Sequence, residues 1–131
     1  MEYINNINNE NNDSCYLITA CIKHFQKDVD NCHELTILRC LIDNFASKED
    51  KEHFYAMAPI IVNCINNEEK VSMLYEYIYN NIIEYCINQI KIGEYDNAYF
   101  RYKSCFYALE EILAKPLLQK EFTKIYKKII E

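Results

Sequence analysis

The sequence predicts an all-α fold: seven helices packed as a bundle around one central buried helix, at about 68–92. Three observations carry that prediction. One glycine and two prolines in 131 residues leave too few turn residues for a sheet-rich fold, which needs them in number. Half the residues are hydrophobic and 26% are charged, the balance of a globular chain long enough for one core. Apolar residues also recur at three-four spacing along most of the chain, the period of a helix with one buried face.

Taken in order, residues 1–13, MEYINNINNENND, read as a disordered polar tail, and 14–131 as a single helical domain. Asp13 or Ser14 caps a first helix with the stripe Ile18, Cys21, Ile22, Phe25 and Val29. Asn31 offers the cap of a second, carrying Leu35, Leu38, Leu41, Ile42 and Phe45. Ser47-Lys-Glu-Asp50 forms a capping box with Asp in place of Glu. The helix it starts, with Phe54, Met57 and Ala58, is expected to break at Pro59, because proline removes a donor and clashes with the preceding turn. A short fourth helix then runs to about Ile65.

Asn67-Glu-Glu-Lys places acids in the first turn of the fifth helix, the long segment 68–92. On a wheel its polar residues Asn80, Asn81, Glu84, Asn88 and Lys91 gather on one arc of about 100°. Most of the remaining surface is apolar or aromatic, as expected for a helix surrounded by others. Gly93, the lone glycine, supplies a left-handed cap after it. Asp96 or Asn97 caps a sixth helix with the core stripe Tyr102, Cys105, Phe106, Leu109, Ile112 and Leu113. Pro116 suits the first turn of a seventh, whose inward stripe is Leu118, Phe122, Ile125 and Ile129.

A net charge of −6 argues against a nucleic-acid partner, which demands clustered Lys and Arg. The one basic cluster, Lys120, Lys124, Lys127 and Lys128, lies where it complements a helix dipole. No window of eighteen apolar residues exists, so no membrane span is expected. Seven cysteines make an odd, irregularly spaced set without C-x-x-C. With a polar, acidic N-terminus unlike a signal peptide, they read as free buried thiols in a reducing compartment.

The search for chemistry returns little. Glu49 and His53 lie four apart on one helix face, as a metal pair would, but no second pair accompanies them. Cys32-His33 adjoins no further ligand, and no phosphate loop can form around one glycine. Glu110 and Glu111 point about 100° apart on a helix and read as surface charge. Neither an enzyme nor a cofactor or metal site is expected. What remains is surplus apolar surface. Phe100 and Tyr107, with Ser104 beside them, fall off the stripe of the sixth helix. Tyr16, Leu17, Ala20 and His24 fall off that of the first. Either neighbouring helices cover these residues or they form a dimer or partner face.

In helix order and length the chain resembles the poxvirus Bcl-2-like family. The segment that carries the likeness is ASKEDKEHFYAMAPIIVNCINNEEKVSMLYEYIYNNIIEYCINQIKIGEYDNAYFRYKSCFYALEEIL, residues 46–113. It is similar to that family's short third and fourth helices, long buried fifth, glycine-containing break and sixth. Anti-apoptotic members carry Asn-Trp-Gly-Arg at the start of the fifth helix. Here the region reads Asn66-Asn-Glu-Glu-Lys-Val71, with neither the Trp nor the Arg. The sequence also shows no apolar tail anchor after the last helix. Both departures point to the tail-less branch, whose members bind host adaptors or kinases and dampen NF-κB and interferon induction. The resemblance therefore implies a non-enzymatic viral protein of the host cytoplasm that binds a host signalling protein and forms a homodimer through its first and sixth helices. The alternative it implies is an apoptosis inhibitor that seats a pro-apoptotic helix in a groove lined by Leu38, Leu41, Phe45, Phe54 and Leu74. An unrelated helical scaffold is the reading outside the family.

Overall fold

In the computed structural model, residues 15–25, 27 and 32–130 are described, all helical or in short joints. The expected N-terminal tail, and the positions Asp13, Ser14, Val29 and Asn31, lie outside them. Among the described residues there is no strand, and the chain forms five helical rods where seven separate helices were expected. They are α1 (Tyr16–His24), α2 (His33–Phe45), α3 (Lys48–Asn66), α4 (71–91) and α5 (95–130).

Two of the expected breaks are absent. Pro59 lies inside the 19-residue α3, and the helix continues through it. Its ring is exposed, while Phe54, Ala58, Ile61, Val62 and Ile65 are all buried on the other side. That continuous apolar face outweighs the roughly 3 kcal/mol a proline costs mid-helix. At Pro116 the chain likewise stays helical, so the expected sixth and seventh helices are one rod. Its turn at Glu110–Ala114 is widened to π geometry just before the proline. A wider turn is where a helix can absorb the missing donor and the ring clash.

The start of α4 is also later than the acids suggested. Asn67 ends α3 rather than opening the next helix, and its side-chain amide donates to the Asn63 carbonyl at 2.8 Å. α4 begins at Val71. At its other end the sequence expectation holds. Gly93 sits at φ +80°, its N–H donates to Ile90 O at 3.0 Å, and Glu94 N–H reaches back to Gln89 O at 2.8 Å. This pair of bonds is the Schellman closure, and the left-handed residue it needs is the lone glycine. Ser47 Oγ likewise accepts from Asp50 N–H at 3.0 Å and caps α3.

α4 touches all four other rods, and Tyr75, Ile78, Ile82, Ile83, Cys86 and Ile87 are its buried side. Its wet side is wider than the wheel implied, because Met73 and Tyr77 are exposed along with Asn80, Glu84 and Asn88. A π turn at Tyr79–Glu84 lies midway and shifts the inward face relative to an ideal wheel. Tyr85 is thereby half-buried, with the Arg101 guanidinium 3.7 Å above its ring.

The core is continuous from α1 to the first half of α5. Phe54 packs against Tyr102 and Phe106, with ring centroids 5.3 and 4.8 Å apart. The second half of α5 departs most from expectation. Lys115–Ile130 buries none of its residues, so Leu118, Phe122, Ile125 and Ile129 are not the core stripe their spacing predicts. Ile112 is 70% exposed and is not core either.

Candidate functional site: an apolar cleft along the second helix

The cleft of interest lies between α2 and the α4–α5 junction. Ile37, Cys40, Leu41, Asn44 and Phe45 supply one wall, at the three-four spacing that places them on one face of α2. Ile90 near the end of α4 and Tyr95 at the start of α5 supply the other. The cleft volume is about 620 Å³, within the range of sites that accept apolar side chains or small ligands. The Gly93 turn fixes this geometry, since it reverses the chain between Ile90 and Tyr95. The Phe45 and Tyr95 rings approach to 5.9 Å across the cleft, and both remain exposed.

Of the five groove residues expected from sequence, two belong to this cleft. Leu41 lines its floor and Phe45 its rim. Leu38 and Phe54 are fully buried in the core, and Leu74 is half-buried on α4, outside the cleft lining. Ile37, Cys40 and Asn44 were missed although the same helical spacing carries them. Ile90 and Tyr95 required the tertiary fold. Cys40 is an exposed thiol rather than a buried one, and its backbone oxygen and Sγ both accept from Asn44 Nδ2, at 2.7 and 3.3 Å.

The residues expected to share a dimer face are not gathered into one surface. Leu17 is fully buried. Tyr16, Ala20 and His24 are half-buried around a shallow hollow with Val62, Asn66 and Tyr75. His24 stacks on Tyr75 at 4.6 Å and pairs with Ser72 Oγ at 3.2 Å. On α5, Tyr107 is covered by the His53 ring, stacked at 4.9 Å. Phe100, 70% exposed, and Ser104 remain open.

His53 has a partner other than Glu49. Its Nε2 lies 2.5 Å from Oε1 of Glu110, a carboxylate that is 6% exposed. Glu110 is therefore an internal group, not the surface charge its neighbour Glu111 suggested. No group of three or more His, Cys, Asp or Glu residues is arranged to hold a metal among the described residues. Burial pushes the thiols of Cys21 and Cys86 up to about 12, which keeps both protonated at neutral pH.

No helix among the described residues is long and apolar enough to cross a membrane. Comparison with family models, curated proteins and solved structures returned no match for this chain.

Proposed function

We propose that this chain is a non-enzymatic binding protein that occupies a host signalling protein and inhibits innate NF-κB and interferon signalling. The observation that carries the reading is the cleft of Leu41, Phe45, Ile90 and Tyr95, a concave apolar surface open to solvent beside one helix. Such a surface suits the apolar face of a partner helix or loop, with two aromatic rings at its rim as anchors. Support for the innate-signalling role comes from the likeness of helix order to the tail-less poxvirus Bcl-2-like branch. A long α4 packed by every other rod supports a Bcl-2-like arrangement of the bundle. Expression of the chain in host cells with NF-κB and interferon reporters tests the role. Dampened induction is expected, and unaltered signalling removes it.

The cleft also favours the apoptotic reading, because helix-in-groove capture needs a groove of this chemistry. In that reading Phe45 and Tyr95 flank the apolar residues of a pro-apoptotic helix. Titration with a panel of such peptides separates the two. Binding at micromolar concentration supports capture of death-promoting helices, and its absence leaves the signalling role as the function of the cleft.

A further inference from the structure

The end of α5 exposes an apolar seam that the rest of the described structure does not use. Leu118, Phe122, Ile125 and Ile129 are spaced four, three and four, and their exposure runs from 43% at Leu118 to 75% at Ile129. That alternation is the a/d repeat of a coiled coil. In that frame Lys120 and Lys127 fall on the outermost position, where charge stays in water. A contiguous apolar stripe of this kind marks an interaction surface.

We propose that the seam of Lys115–Ile130 is a homodimer interface, in which the segment pairs antiparallel with the same segment of a second copy of this chain. Antiparallel pairing sets Leu118 against Ile129 and Phe122 against Ile125, so all four layers close. The argument for a second copy, and for this orientation, is charge complementarity. Glu121 and Lys128 each precede a seam residue, Phe122 and Ile129. Antiparallel helices bring those flanking positions together, so Glu121 of each copy meets Lys128 of the other, twice by symmetry. Parallel helices in register would instead set Glu121 beside Tyr126, which carries no positive charge. Glu121 can make the exchange, since its ion pair with Lys124, at 3.6 Å in its own helix, is exposed. The antiparallel arrangement also carries the two bundles to opposite ends of the pair. Four seam layers make an interface near the small end of specific association, roughly 1,200 Å², so a reversible dimer of about micromolar affinity is expected.

Sedimentation of the full chain over a range of micromolar concentrations tests this. A concentration-dependent dimer is expected. Phe122→Asp should be monomeric at every concentration with the bundle's thermal transition retained, because the residue is two-thirds exposed (66%). Glu121→Lys and Lys128→Glu should each weaken self-association several-fold. Mixed together, they should associate with each other more tightly than either does with itself. A monomeric wild type overturns the proposal, whatever then covers the stripe. So does a dimer that survives Phe122→Asp, or a mixture no tighter than the single variants.

Discussion

The carboxylate of Asp50, in the first turn of α3, accepts a hydrogen bond at 2.8 Å from the hydroxyl of Tyr99 in α5. The Lys103 ammonium, one turn further along α5, donates to the same oxygen at 3.0 Å. A capping residue's neighbour is thus also the clamp that holds the N-terminus of α3 against α5. Partial burial pushes the Asp50 carboxyl up, but the hydrogen bonds from Lys103 and Tyr99 and the lysine charge outweigh it and hold the group below its ordinary value of 3.8.

That clamp makes a prediction about pH. A carboxylate depressed in the folded state adds stability that is fully present above its unfolded value, about 3.9, and is lost as pH falls through the folded value. Asp50→Asn should cost about 1–2 kcal/mol at pH 7, a figure kept small because Lys103 is partly exposed. Urea unfolding of both proteins from pH 7 down to pH 2 checks it. The gap should be constant above about pH 5 and shrink at lower pH, as the wild-type carboxylate protonates. A gap that does not change with pH would show that Asp50 stabilises through shape alone.

The cleft and the core should separate on mutation. Phe45→Glu at the rim places a charge on an exposed position, so its stability change should stay within about 1 kcal/mol. It should nevertheless lower partner binding at least tenfold, because it charges one of two aromatic anchors. Phe54→Ala removes a fully buried ring and should cost about 3–5 kcal/mol. The measurement is denaturant unfolding beside partner capture for each variant. A Phe45→Glu protein that folds and binds like wild type would remove the cleft from the function.

How much of this was legible in the sequence depends on what each residue answers to. Ser47 and Gly93 were readable because their roles are local: an oxygen that accepts an N–H three residues on, and a backbone angle only glycine adopts cheaply. The same local reasoning fails at Pro59 and Pro116, where the helices continue. The buried run Phe54, Ala58, Ile61 and Ile65 overrides the first, and a π turn, where a helix can absorb such a clash, lies just before the second. The stripe from Leu118 to Ile129 was recognised as amphipathic, but periodicity does not say what covers a face. The sequence reads Glu110 as surface because its partner, His53, is fifty-seven residues away. Leu41 and Phe45 carried their own signal in the spacing of α2. Ile90 and Tyr95 complete the cleft only once Gly93 turns the chain.

Gly93 offers a prediction with a single cause. A Cβ built there meets nothing within 4 Å, so Gly93→Ala introduces no clash. The cost is the left-handed backbone alone, about 1 kcal/mol, read as a lowered denaturation midpoint with unchanged slope. Gly93→Asn should cost less, since asparagine tolerates that conformation better. Because the turn also aims Ile90 and Tyr95, a larger loss of partner binding than of stability would show that the cleft depends on it. Equal stability of glycine and alanine variants would argue against the left-handed turn.

Thiol reactivity reports the same architecture residue by residue. Cys21 and Cys86 are fully buried, and each Sγ donates to a backbone carbonyl, Tyr75 O at 3.3 Å and Ala98 O at 3.2 Å. Burial raises both to about 12, so the reactive thiolate is scarce and shielded at once. Cys40 is exposed at the cleft rim. Alkylation of the native protein near pH 8, followed by peptide mass mapping, should modify Cys40 first. Cys21 and Cys86 should react only as fast as the protein opens, accelerating with denaturant in step with unfolding. A partner seated in the cleft should slow Cys40 and leave the other two unchanged. Rapid labelling of Cys86 in the absence of denaturant would contradict the packing of α4 against α5.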